Sequence, residues 1–388
     1  MPSVDAVVVG GGPAGLAAAI ALRRAGLSAL VADVYEPPVD KICGEGILPE
    51  GLVALRELGV DVGAALDAGA GCSFRGISFT DASSSFAAAF AGASGLGMRR
   101  TVLHGSLVAK ARESGVTLRW GTRAQVTGNR VSVGGTEITC RYVLGADGQR
   151  STVRRSARLS GTFPELRTRQ RLAFRRHYWI EPWNSFVEVH WAGRTQAYIT
   201  PVGRNEVSVA LVSSEAGRGD TPRNFDQLLS LFPALASRLR TALVAGRERG
   251  GTSLTLRLSR VVRDRVLLVG ESSGCVDAIT GEGLTLLFRQ ALALGECLGQ
   301  DRPERYESMH RGIMRRPRFM SGLLLSLSEH PRWRARVFRT FSAEPLAFEN
   351  LLHAHTGSLP RIFGAGGCLW IGTRLLFDSA PRLPQQLF

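Results

Sequence analysis

The stretch Val7-Val8-Val9-Gly10-Gly11-Gly12-Pro13-Ala14-Gly15-Leu16 decides the fold. An apolar run ends in glycines spaced G-x-G-x-x-G, and an alanine-rich helical pattern follows from Leu16 to Ala25. Each glycine has a physical task. Gly10 permits the tight turn, Gly12 lets the backbone approach a pyrophosphate, and Gly15 lets helix and strand pack closely. Pro13 and Ala14 lie where the helix begins, and the free N–H groups and dipole there attract phosphates. A second apolar strand, Ala29-Leu30-Val31-Ala32, ends at Asp33-Val34, where an acid can accept hydrogen bonds from ribose hydroxyls. This order predicts a dinucleotide-binding unit. The stretch alone leaves NAD and FAD both open.

The chain has 388 residues, enough for two domains or one elaborated domain. Its hydrophobic fraction of 44% is that of an ordinary globular protein. No apolar run reaches the roughly 18–20 residues that span a bilayer. No basic segment followed by an apolar one precedes the first strand, so no secretory signal is expected. The six cysteines, at 43, 72, 140, 275, 297 and 368, form no C-x-x-C pair. That pattern predicts reduced thiols in the cytoplasm and no metal site. The net charge of +15 comes almost wholly from arginine, since lysine occurs only at positions 41 and 110. No nucleic-acid motif accompanies it, so no nucleic-acid partner is expected. A basic surface of this kind suits an anionic cofactor, an acidic carrier protein or anionic lipid.

Further along, Pro49 to Gly59 reads as a helix, and 69–97 changes to short strands among small residues. Arg141-Tyr142-Val143-Leu144-Gly145-Ala146-Asp147-Gly148 is again a strand ending in small residues and an acid. From about Arg167 to Thr255 the pattern is mostly β, with one helix expected over Phe225–Leu239 and a hairpin around Gly128-Asn129 earlier. Arg265-Val266-Leu267-Leu268-Val269-Gly270 reads as another buried strand, followed by a long helix from Gly283 to about Leu298. The remainder is mostly helical and arginine-rich. No internal repeat or low-complexity linker occurs. The expected fold class is α/β, with two units interleaved in sequence. A Rossmann-like dinucleotide unit takes 1–75, 98–165 and 256–305. A substrate unit built on an antiparallel sheet takes 76–97 and 166–255. A helical region takes 306–388.

Three glycine-plus-acid signals now stand together: Gly10–Gly15 with Asp33, Gly145-Ala146-Asp147-Gly148, and Gly270-Glu271 with Gly281-Glu282-Gly283. In this order they resemble the FAD-dependent fold shared by aromatic-ring hydroxylases, flavin-dependent halogenases and geranylgeranyl reductases. The resemblance covers most of 1–300 and implies FAD as cofactor. It implies that Asp147 and Gly148 lie near the FAD, that Glu271 bonds a ribityl hydroxyl, and that the helix opening at Gly281-Glu282-Gly283-Leu284 points at the flavin ring. It also implies that Arg100 contacts the FAD phosphates. Glu271 stands where the family usually has Asp. Gly274 and Ala278 stand where the hydroxylases carry His and Pro.

Lys41-Ile42-Cys43-Gly44 resembles the Lys-x-Cys-Gly segment of the geranylgeranyl-reductase branch. Cys43 is therefore either a small residue packed near the cofactor or a catalytic thiol. Beside Lys41 and near a helix start, its pKa could be lowered. The halogenase W-x-W-x-I-P signature is absent. His104, His177 and His190 are expected to be structural, and His353-Ala354-His355 reads as a surface pair.

The resemblance implies an FAD-dependent monooxygenase in which reduced flavin, through a C4a-hydroperoxide, hydroxylates a largely apolar, aromatic or polyketide-type substrate. The alternative is a reductase of isolated C=C bonds, of the geranylgeranyl type. A flavoprotein without turnover, serving as a binding module, is a third. Electrons are expected from NAD(P)H or a separate flavin reductase. The tail from Met320 to Phe377 alternates apolar runs with arginines. It reads either as a helical cover over the substrate cavity or as a surface that touches a membrane transiently.

Overall fold

The computed structural model describes residues 3–127, 130–159, 170–214 and 224–356. The expected hairpin is present in the antiparallel pair Ala124–Thr127 and Arg130–Val133, while its tip at 128–129 and the tail beyond 356 lie outside the described residues. One sheet carries the dinucleotide unit. Its strand order is Val262–Arg263, Val266–Leu268, Thr139–Gly145, Ser3–Val9, Ala29–Ala32, Thr117–Arg119, parallel except for the first strand. The strands Val7–Val9, Ala29–Ala32 and Val143–Leu144 are buried on both faces. Their continuous apolar runs follow from burial between helices. Helices Pro13–Arg24, Arg100–Glu113 and Gly283–Gly299 pack around this sheet.

The second sheet runs Leu243–Val244, Arg171–Trp179, Glu206–Ser213, Thr195–Gly203, Phe186–Ala192, Gly76–Thr80, Ser85–Ala89, and Arg249–Ser253 also pairs with Arg171–Trp179. Its pairings are antiparallel except that of Gly76–Thr80 with Phe186–Ala192, which is parallel. The excursion near residue 76 and the later β run thus form one sheet. Gly95–Gly97 instead joins Gly46–Ile47 and Cys72–Phe74 in a separate three-stranded sheet. The single helix expected over Phe225–Leu239 is two, Phe225–Leu229 and Pro233–Leu239. Pro233 divides them, because its ring removes an N–H and disfavours helical geometry at Phe232.

Helices Arg305–Glu329, Pro331–Ala343 and Pro345–His355 cover the second sheet. No helix among the described residues is long and apolar enough to cross a membrane. An aromatic cluster joins cover to sheet. The Phe86 ring centroid lies 4.7 Å from that of Phe348, 4.9 Å from Phe338, 5.5 Å from Phe341 and 5.6 Å from Phe79. Phe86→Ala should destabilise the protein by about 3–5 kcal/mol, read from urea denaturation followed by circular dichroism. A change below about 1 kcal/mol would mean that the cover does not depend on this cluster.

Candidate active site

The glycine loop is built as its spacing predicts. Gly10 has φ +109°, and a Cβ there would meet the Ala146 carbonyl oxygen at 2.5 Å. A Cβ on Gly15 would stand 1.8 Å from the Gly10 carbonyl oxygen. The helix Pro13–Arg24 begins with no side-chain cap and no acid in its first turn. Its first N–H groups are therefore left for a ligand. Above Gly12 the space is open, the nearest neighbour of a Cβ being Arg100 Nη2 at 3.8 Å. Arg100 is buried, and its Nε has no partner. An uncapped helix start, an open loop and an under-used guanidinium together fit an anionic diphosphate.

Asp33 has a further task. Gly11 N donates to its Oδ2 at 2.6 Å, and Tyr35 N donates to its Oδ1 at 2.9 Å. The acid thus fixes the loop while each oxygen keeps a lone pair for a ribose hydroxyl. Val34 is exposed and outside the cavity wall, which Tyr35 lines instead. His104 lies beneath the loop, its Nε2 donating to the Gly11 carbonyl at 2.8 Å. Burial lowers its pKa, so it is a neutral structural ring.

The second and third glycine-acid segments meet the first. Asp147 Oδ2 accepts from Thr152 N at 2.6 Å and Thr152 Oγ1 at 2.8 Å, while its buried Oδ1 has no partner. Gly148 is flanked by Lys41 Nζ and by Glu271 Oε2, at 3.7 Å and 3.9 Å from where its Cβ would be. Arg154 ties the two segments together, donating to Ser272 O at 3.0 Å and Gln149 O at 2.6 Å. A Cβ on Gly270 would stand 2.5 Å from Ala14 Cβ, so glycine lets this turn reach the loop. The helix Gly283–Gly299 opens at the cavity, with Gly281, Gly283 and Leu284 in its wall. Glu282 is not in that wall. It is buried, its Oε2 is 3.9 Å from His355 Nε2, and burial pushes its carboxyl up to about 8.

The segment Lys41–Gly46 is held by a buried charge network that the sequence did not reveal. Glu45 and Arg175 are each 1% exposed. Glu45 Oε1 accepts from Arg100 N at 2.8 Å and from Arg175 Nη1 at 2.9 Å, and its Oε2 lies 2.6 Å from His177 Nε2. Arg175 also grips both oxygens of Asp40, at 2.8 and 3.0 Å, and Arg249 Nε donates to Asp40 at 2.9 Å. Burial by itself would raise the Glu45 pKa. The His177 hydrogen bond and the Arg175 charge outweigh it and hold the carboxyl below its usual range. A second pair, Arg171 with Asp277 at 2.6 Å, lies fully buried beneath the turn Ala278–Thr280.

Cys43 lines the cavity with Gly44. Its Sγ accepts from Glu45 N at 3.3 Å. Burial pushes its pKa up, with Arg100 only partly opposing. This corrects the expectation of a lowered pKa, because Lys41 extends toward Gly148 rather than activating the thiol. The thiol therefore stays protonated at neutral pH. In the folded protein at about pH 8, Cys43 should be alkylated more slowly than a free cysteine. Peptide mass mapping after brief iodoacetamide treatment reads this, and faster labelling of Cys43 would contradict the burial argument.

The remaining histidines separate. His190 bonds Glu188 at 2.7 Å and is outside the cavity wall. His353 contacts the Ala89 carbonyl at 3.2 Å, but His355 is buried and lines the cavity. Two residues apart on a helix, they face different ways, so the expected surface pair is not formed.

The cavity holds about 1000 Å³. One end is the glycine loop with Arg100, Asp147 and Glu271. The other lies between the second sheet and the helical cover, walled by residues such as Val189, Trp191, Tyr198, Phe338, Phe348 and Leu327.

The profile of the FAD binding domain family matches residues 3–301. The chain is 28% identical over 307 residues to menaquinone reductase of Mycobacterium tuberculosis, covering 73% of each protein. It is 27% identical over 306 residues to rifampicin monooxygenase of Rhodococcus hoagii, covering 75% of this chain and 63% of that one. Among solved structures, the flavin-dependent brominase Bmp2 aligns with a TM-score of 0.75 and 18% identity, covering 92% of this chain and 94% of that one. At that identity the likeness speaks for the fold alone.

Proposed function

The chain belongs to the FAD binding domain family and is an FAD-dependent oxidoreductase, and we propose that it is a monooxygenase hydroxylating a largely apolar, aromatic or polyketide-type small molecule. The observation that carries this reading is the single chamber joining the phosphate-binding loop to an aromatic wall. Bound FAD would supply the redox chemistry; the chain supplies position, dryness and charge. The glycine loop and Arg100 would hold the diphosphate, Asp33 the ribose, and Asp147 and Glu271 the polyol. The start of the helix Gly283–Gly299, which opens at the cavity, would stabilise negative charge on the ring. The far wall orients an apolar substrate and excludes water, which limits loss of oxidising equivalents to solvent. NAD(P)H is the proposed electron donor.

A series of phenols with lengthening alkyl tails tests this reading. Oxygen uptake driven by NAD(P)H should depend on the phenol and rise with tail length, and the product should gain one oxygen atom. Uptake indifferent to every apolar phenol would count against it.

A second reading is reduction of isolated C=C bonds. Cys43 favours it, as a protonated thiol in the cavity wall within a Lys-x-Cys-Gly segment. The likeness to a protein whose name is that of a reductase supports reduction over oxygenation too. There the thiol would give its proton to one carbon as a hydride reaches the other. Turnover without oxygen, with a gain of two hydrogens that Cys43→Ala abolishes, would establish this reading over the first.

A further inference from the structure

The helical cover carries a feature that neither reading uses. Between residues 308 and 328 the chain has Arg311, Arg315, Arg316 and Arg318 and no acid. The helix Pro331–Ala343 has four arginines and no acid. Among the described residues, Arg315, Arg332 and Arg339 are exposed and pair with no carboxylate. Arg334 is different: it is buried and donates to the Gly193 carbonyl at 2.8 Å. Large apolar side chains stand exposed on these same helices. Phe319 is 64% exposed and Trp333 is 53% exposed, and Leu346 is exposed on the next helix. Arg315 and Phe319 are one turn apart on one face of their helix, as are Arg332 and Arg339 two turns apart on theirs.

Trp333 has a double position. It is exposed to solvent, and it also borders the chamber together with Leu323, Leu324 and Phe338. The chamber therefore opens to the outside at the helical cover, beside unpaired arginines and an indole. Exposed aromatic residues among unpaired cations suit the headgroup level of a bilayer, where the ring takes the apolar boundary and the guanidinium meets anionic phosphate. No described helix is suited to cross the bilayer, so the contact is one of lying on it.

We propose that the exposed side chains Arg315 and Phe319 of one helix and Arg332, Trp333 and Arg339 of the next dock on an anionic lipid surface and set the Trp333 mouth of the chamber against it. An apolar substrate dissolved in the bilayer then enters without crossing water. An acidic protein is the competing occupant, but the exposed Phe319 and Trp333 favour lipid over a purely charged partner.

The test is sedimentation of the flavin-loaded protein with vesicles of neutral phosphatidylcholine and of phosphatidylcholine mixed with phosphatidylglycerol. Binding is expected to the mixed vesicles only, weakening as salt rises from low to physiological strength. Reversing three charges with Arg315→Glu, Arg332→Glu and Arg339→Glu should lower that binding at least about tenfold. Flavin absorbance of the variant should match the parent, which shows that the fold is intact. Phe319→Ser alone, at an exposed position outside the chamber wall, should weaken binding at high salt more than at low salt. Equal sedimentation with neutral and anionic vesicles, or a triple variant that binds as the parent does, would overturn the proposal. So would a parent that ignores lipid and binds only an acidic protein.

Discussion

Glu45→Ala is expected to cost about 3–5 kcal/mol of stability and to leave the purified protein short of FAD. The cause is the number of groups that one carboxylate serves. Arg175 and His177 are buried against it, and the Arg100 backbone N–H donates to it. Removing it leaves a buried guanidinium with Asp40 and the Lys41 carbonyl but one carboxylate fewer, a ring nitrogen without a partner, and an N–H without an acceptor at the residue that reaches the glycine loop. The pH dependence has a fixed sign. Because the Glu45 carboxyl is held below its usual range, its contribution is full above the unfolded value and is lost as pH falls through the folded one. Urea midpoints should therefore drop on acidification in the parent more steeply than in Glu45→Ala. Equal slopes would show that the network does not stabilise the ionised acid.

Gly15→Val should abolish FAD binding. Its Cβ would lie 1.8 Å from the Gly10 carbonyl oxygen and 3.2 Å from Ala146 Cβ, both on a packed strand–turn–helix junction. The helix would have to move away from the sheet, taking its N–H groups from the phosphates. Gly105→Ala is the matched comparison. It lies in the helix Arg100–Glu113 with nothing within 4 Å of a Cβ, so it should keep FAD and gain about 0.5–1 kcal/mol. Flavin absorbance per protein reads both variants. A yellow Gly15→Val protein would mean that the loop is not the cofactor anchor.

The glycine loop was legible because its physics is local. A strand, a turn with no room for Cβ atoms, and an amphipathic helix leave a pattern within thirty residues. The Asp33 position was legible for the same reason, although its bond to Gly11 N was not. Glu45 was not legible. It lies in a loop without periodicity, and its partner Arg175 is 130 residues away. The strand Arg171–Trp179 misleads as well. Arg171, Arg175 and His177 share one face by the two-residue period, which reads as a solvent face. That face is buried beneath Asp40, Glu45 and Asp277. Two arginines and a histidine in one strand register were the available signal. The chamber wall was illegible because Phe86 and Phe338 are brought together only by tertiary packing.

We propose that FAD bound at the glycine loop serves oxygen transfer to a substrate held against the aromatic wall. Turnover under isotopically heavy oxygen gas tests it most directly, with the product examined by mass spectrometry. One heavy oxygen atom is expected in the product, with no turnover in the absence of oxygen. A product that carries no label and forms equally well without oxygen, two hydrogens heavier than the substrate, would contradict it.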